Sequence, residues 1–179
     1  MSQVEKLFDP TGAVGDVADV ALAQRPASLQ GLTVGLLNNT KANSSVLLNE
    51  LAEVLKKEYG VGDTKNYVKE YFGTPMTKEL CARIAEECDV VITGVGDCGS
   101  CSAGTVADGI MLERVGKPAV SICTDSFFPS GNAMAEVQGF PGYVFATVKH
   151  PLASLDVEHI RQRAQEALPQ ILRILGIER

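Results

Sequence analysis

Asp89-Val90-Val91-Ile92-Thr93-Gly94-Val95-Gly96-Asp97-Cys98-Gly99-Ser100-Cys101 is the stretch on which the fold turns. Residues 89–93 are a short β-branched run that reads as a strand buried on both faces, the habit of parallel sheets. A glycine-bearing polar turn follows at once. Beyond it the apolar spacing predicts a helix from about Gly104 to Val115, ended by Gly116. A strand that passes through a polar turn into a helix is half of a βαβ unit, and the rest of the chain repeats this pattern.

Upstream, Leu32–Leu37 is a second apolar run, the polar stretch Asn38–Ser44 follows, and Val46, Leu47, Leu48, Leu51, Val54 and Leu55 recur at helical spacing. Asn43 or Ser44 is the expected N-cap. Lys65–Phe72 reads as a strand, and Thr77 is placed to cap a helix through about Glu87. Downstream, Pro118–Cys123 and Tyr143–Val148 read as strands. A short helix is expected over 130–138. Asp156–Leu175 closes the chain as an amphipathic helix with Ile160, Ala164, Leu168, Ile171 and Leu172 on its inner face. Alternation of this kind predicts an α/β fold with one open, mainly parallel sheet and helices on both faces. Right-handed crossovers narrow it to a flavodoxin-like or Rossmann-like three-layer layout. The 179 residues suit a single domain: residues 31–179 form the α/β domain, and 1–30 a leader on its surface or against a neighbouring subunit.

The formal net charge is −6 and charged residues make up 21% of the chain. That balance disfavours a nucleic-acid partner, whose phosphates an acidic surface repels, and it describes a folded domain. No run approaches the ~18 apolar residues of a membrane span. The first ten residues lack the basic start and apolar run of a signal peptide, so a cytoplasmic location is expected. Five cysteines in that compartment read as redox, nucleophilic or metal-binding groups rather than as a disulfide framework.

Ligands of open α/β sheets bind beyond the carboxyl ends of the strands, and three polar loops fall there. They are Asn38-Asn39-Thr40-Lys41, the glycine-rich turn through Ser102, and Cys123-Thr124-Asp125-Ser126. In the middle loop, Gly96 and Gly99 allow positive φ or close approach to a ligand. Cys98 and Cys101 stand three apart at a helix entry, where unpaired N–H groups and the helix dipole lower a thiol pKa. The second thiol can then displace whatever the first has bound. Cys81 and Cys88 share a helix face and read as packing residues. A metal would have Cys98, Cys101, Cys123 and His150 as its best donors, fewer signals than a zinc site shows. Gly94-Val95-Gly96 lacks the third glycine of a dinucleotide fingerprint. No metal and no cofactor are therefore expected.

The run GVGDCGSCSAGTVADGIMLERVGKPAVSICTDSF, together with KHPLASL downstream, resembles the UGSC family of (seleno)proteins, some members of which carry selenocysteine at the first position of the Cys-Gly-Ser-Cys motif. The likeness runs from about residue 30 onward and is densest from Val90 to Pro151. It implies that Cys98 is the attacking atom and Cys101 its resolving partner, in nucleophilic or redox chemistry. More loosely, the strand-and-cysteine-loop arrangement is similar to the selenoprotein subunit of glycine-type reductases and to two-cysteine racemases and decarboxylases.

The leading expectation is thus a cysteine-dependent oxidoreductase acting on a small polar substrate. Cys98 attacks and Cys101 resolves, with Asp97 and His150 as proton-handling or orienting groups. Asn38, Asn39, Thr40, Lys41, Gly96, Gly99, Ser100, Ser102, Thr124 and Ser126 are the candidate substrate contacts. One alternative is a cofactor-independent isomerase, racemase or decarboxylase in which Cys98 and Cys123 form an acid–base pair. Another is a non-catalytic thiol carrier working with a partner subunit. A homo-oligomer is expected.

Overall fold

A computed structural model describes residues 21–177. Five strands, β1 (Thr33–Asn38), β2 (Asp63–Val68), β3 (Val90–Gly96), β4 (Ala119–Thr124) and β5 (Ala146–Val148), alternate with helices α1 (Ser44–Tyr59), α2 (Lys78–Glu87), α3 (Gly99–Arg114), α4 (Phe128–Val137) and α5 (Val157–Ile174). A short 3-10 turn, Asp125–Phe127, links β4 to α4. All pairings are parallel and the strand order is β2-β1-β3-β4-β5. This is the flavodoxin-like order, and its switch point lies between β1 and β3, where the connections leave in opposite directions.

The alternation of strand side chains sorts the core into two faces. Val34, Leu36, Val90, Ile92, Val120 and Ile122 pack with Leu47, Leu51 and Leu55 of α1 and with Ile160, Ala164 and Ile171 of α5. On the other face Leu37, Val91 and Ala119 meet Cys81 and Ile84 of α2, while Cys123 meets Val106 and Ile110 of α3 and Ala135 of α4. β3, β4 and most of α3 are buried. α3 lies close against the sheet because of its glycines. A Cβ on Gly109 would come within 2.3 Å of the Ser121 and Tyr143 hydroxyl oxygens, far inside contact distance.

Several boundaries differ from the sequence reading. β2 lies earlier than Lys65–Phe72 and ends at Val68, since Lys69 turns inward to pair with buried Asp108 at 2.5 Å. β5 is shorter than Tyr143–Val148, because Tyr143 and Phe145 leave the ladder to pack in a cluster with Phe140. α3 starts five residues before Gly104: burial of its first turn outweighs the poor helix propensity of Gly-Ser-Cys-Ser. α4 begins at Phe128 rather than at 130. Thr77 caps α2 as expected, its hydroxyl accepting from the Leu80 amide at 3.2 Å.

The leader reading falls partly outside the described residues, at 1–20. Of the remainder, Leu29 is buried in the core. The Ala23 amide and the Arg25 guanidinium both donate to the buried carboxylate of Glu113 at 2.7 and 2.8 Å, and the Ala119 amide donates to it at 2.8 Å. No helix among the described residues is long and apolar enough to cross a membrane. Because Glu113→Ala strands a guanidinium and two amides together, it is expected to lower unfolding stability by about 2–4 kcal/mol. Urea titration of the two proteins measures the difference, and an unchanged midpoint would deny the carboxylate its tethering role.

Candidate active site

The Cys-Gly-Ser-Cys turn lies where β3 gives way to α3. Cys98 is the N-cap of α3, with extended backbone, and Cys101 occupies the third helical position. The two sulfurs are joined as a disulfide, with Cα atoms 5.3 Å apart. The Cys101 amide donates to the Cys98 sulfur at 3.3 Å, so sulfur takes the place that a Ser or Asp oxygen holds in an ordinary N-cap. The Ser100 hydroxyl lies 3.8 Å from the same sulfur. Cys98 is half-buried and Ser100 exposed, whereas Cys101 is fully buried. Of the two cysteines, Cys98 is the more exposed.

Asp97 sits directly before the pair, and its side chain is buried. Its carboxylate accepts from the backbone amides of Leu152 and Ala153, at 3.1 and 2.8 Å. It also lies 2.9 Å from Nδ1 of His150. That nitrogen is in turn 3.2 Å from the hydroxyl oxygen of Thr124, which donates to the Gly96 carbonyl. The His150 amide donates to Asp125 at 3.0 Å, and its ring meets Phe127 edge-on with centroids 5.3 Å apart. The hydrogen bond from the His150 amide is the leading cause that holds the Asp125 carboxyl below its usual range. Asp97, Cys98, Cys101, Thr124 and His150 therefore gather at one edge of the sheet.

Cys123 lies behind them. It is fully buried, its thiol points at the Ser102 carbonyl 3.9 Å away, and burial pushes it up to about 12. Burial likewise raises Cys81 and Cys88, in keeping with packing roles. Gly96 serves close approach within the protein: a Cβ there would come within 2.6 Å of the Cys123 sulfur and of Ser102. Ser102 is buried, and its hydroxyl has no hydrogen-bond partner among the described residues. Gly99 opens α3, 3.7 Å from the Ser130 hydroxyl measured from an added Cβ.

The β1–α1 loop is held largely by its own side chains. Asn38 accepts from the Thr40 amide at 2.8 Å and Asn39 from the Lys41 amide at 3.2 Å. Asn39 is buried and donates to the Val95 carbonyl and the Thr105 hydroxyl, bracing this loop against β3 and α3. Thr40 is exposed with φ of 67°, a left-handed conformation that is strained for a β-branched residue. The Lys41 ammonium sits 5.2 Å from the centroid of the Phe72 ring. Ser126 is exposed and its amide donates to Asp125.

Three contributors escape a sequence reading. Phe127 and Asp125 contact His150 through ring packing and a backbone bond, neither of which leaves a motif. Asn43, one of the two expected caps, holds the N-cap position of α1 without a side-chain capping bond and sends its amide to the carbonyls of Leu152, Ala153 and Leu155 at 2.8 to 3.3 Å. Among the described residues no three His, Cys, Asp or Glu side chains gather closely enough to hold a metal ion.

The more exposed of the two cysteines, placed at a helix N-cap, suits nucleophilic exchange, and the buried thiols do not compete with it. In reduced protein at pH 8, iodoacetamide should label Cys98 first. Cys123, raised to about 12, has almost no thiolate at that pH and should react only after denaturation, as should Cys81 and Cys88. Peptide mass spectrometry reads the order. Early labelling of Cys123 would contradict its burial.

Among solved structures the chain is similar to a diflavin flavoprotein A3 from Nostoc sp., at 11% identity over 80% of this chain and 95% of that one, with a TM-score of 0.42. No curated protein matches the chain. A sequence model of the UGSC family matches residues 6–177, a span that contains every residue of the site, and the chain belongs to the UGSC family.

Proposed function

We propose that the protein is a thiol-dependent oxidoreductase in which Cys98 and Cys101 cycle between dithiol and disulfide while reducing a small polar substrate. The observation that carries this reading is the unequal exposure of two bonded cysteines at one helix terminus: Cys98 half-buried and Cys101 fully buried three residues on.

In the reduced protein the Cys98 thiolate attacks an electrophilic atom of the substrate, forming a covalent adduct and releasing the first leaving group. The Cys101 thiol then attacks the Cys98 sulfur. The adduct bond breaks, its electron pair and the Cys101 proton leave with the reduced product, and the disulfide forms. Two electrons pass from the thiols to the substrate, and an external dithiol returns them. The helix N-terminus and the Cys101 amide favour the thiolate that begins the cycle. Thr40, Lys41, Ser100 and Ser126 are the candidate contacts most available to a substrate. Asn39 and Ser102 are buried and support the loops from behind. An acid–base pair of Cys98 with Cys123 has less support, because a thiol raised to about 12 and closed off from solvent is poorly suited to exchange protons with a substrate.

An aromatic disulfide, 5,5′-dithiobis(2-nitrobenzoate), tests the scheme without knowledge of the natural substrate. Fully reduced protein should release one thionitrobenzoate by attack of Cys98 and a second by resolution. Cys101→Ser should release one and retain a mixed disulfide at Cys98, visible by intact mass. Cys98→Ser should lose the fast phase, slowing it by about a hundredfold or more. A Cys98→Ser protein that reacts like the wild type would end this proposal.

A further inference from the structure

The geometry points to His150 as the proton-accepting base of the Cys98 site, with Asp97 as the positioning residue that fixes its tautomer. This rests on the dithiol reading and adds to it the step by which the disulfide is reduced.

The argument is one of donors and acceptors. Nδ1 of His150 has two close neighbours, Asp97 Oδ1 at 2.9 Å and Thr124 Oγ1 at 3.2 Å. An ionised carboxylate only accepts hydrogen bonds. The Thr124 hydroxyl spends its hydrogen on the Gly96 carbonyl and so turns a lone pair towards the ring. Both neighbours of Nδ1 are acceptors, and Nδ1 must carry the hydrogen. In the neutral ring Nε2 then holds the lone pair and is the basic atom.

The ring is also aimed. Its side chain is 35% exposed while that of Asp97 is 2% exposed and Thr124 is buried. The Nδ1 edge therefore faces inward and the Nε2 edge faces the open side. Phe127 packs against the ring, and the His150 backbone is tied to Asp125. The ionisable groups that face it are Asp97, from the turn after β3, and Asp125, from the end of β4. Through Asp97 the imidazole is anchored to the chain neighbour of Cys98.

A thiol donor must lose its proton before it can attack a disulfide. Nε2 takes that proton as the donor sulfur bonds to Cys98. The Cys98–Cys101 bond breaks, its electron pair stays on Cys101, and Cys101 takes up a proton from water while the imidazolium returns one. The second thiol of a dithiol donor attacks its own first sulfur and releases Cys98. The donor ends as a disulfide, and the protein pair as two thiols.

Dithiothreitol serves as the probe. Its uncatalysed attack follows its own thiolate fraction, so log rate rises by about one per pH unit below its ionisation. The oxidised wild-type protein should instead show a plateau below that ionisation, because a base at the Cys98 site takes the proton from the thiol itself. His150→Gln should lose the plateau, follow unit slope, and react about a hundredfold more slowly at pH 7. Asp97→Asn keeps an oxygen for Leu152 and Ala153, and it too should lose the plateau. It serves as the test should His150→Gln fail to fold. A plateau retained in either folded variant, or a wild-type protein that only tracks the ionisation of the reagent, overturns the inference. Neither result touches the dithiol cycle, which stands or falls on the thionitrobenzoate stoichiometry.

Discussion

A carboxylate withdrawn from water costs several kcal/mol unless hydrogen-bond donors replace the water it loses, and the arrangement of this site follows from how Asp97 is satisfied. Its hydrogen-bond donors are the backbone amides of Leu152 and Ala153, and the His150 imidazole lies against it with Nδ1 2.9 Å away. All three come from the connection between β5 and α5. The same connection has carbonyls to satisfy, and these go to the amide of Asn43 in the β1–α1 loop. One stretch of backbone thus has its N–H groups answered by the loop after β3 and its C=O groups by the loop after β1. Backbone tied on both sides in this way has less freedom to shift, and these bonds link the three loops around the switch point.

The unequal standing of the two sulfurs is a consequence of how α3 meets the sheet. Gly96 and Gly109 remove the side chains that would hold the helix off β3 and β4. With α3 seated that deeply, its first turn enters the core, and Cys101, facing the interior, loses all exposure. Cys98 precedes the helix in extended conformation and stays at the rim. Depth of packing decides which cysteine is the more exposed. Cys123 is the counter-example: it is the next-to-last residue of a central strand beneath α3, and being a cysteine near the site gives it no access to anything outside.

Much of this was readable in the residues alone. The β-branched run before the turn, the helical spacing of Leu47, Leu48, Leu51 and Leu55, and the amphipathic stretch through Ile171 gave the sheet order class and the two helical layers, because period and burial are written in residue type. The thiol turn was readable as well, since its glycines and cysteines stand apart from any packing pattern. The start of α3 was not. Gly-Ser-Cys-Ser has poor helix propensity, and sulfur is not among the usual capping atoms, so the turn read as loop until the packing was known. Asn43 looked like an ordinary cap, yet its side chain reaches residues more than a hundred positions away. His150 stood out only as a histidine before a proline. Its partners, Asp97 and Thr124, lie on two other strands' ends, and no local pattern joins them.

The capping role of Cys98 bears on how easily the pair changes state. An N-cap needs an acceptor pointed at the amide of the third helical residue, and here that residue is the second cysteine. A side chain oriented to cap is therefore already oriented towards the atom it bonds. On reduction the Cys98 thiolate can keep the same amide as its donor, and it gains the favourable field of the helix terminus. The backbone that carries the pair is braced from behind by Asn39 and from the side by Asp97. A dithiol on a flexible loop would have to reorder its chain at every turnover. In this protein the helix start holds Cys98 in the capping position, so the two sulfurs face each other on one packed frame.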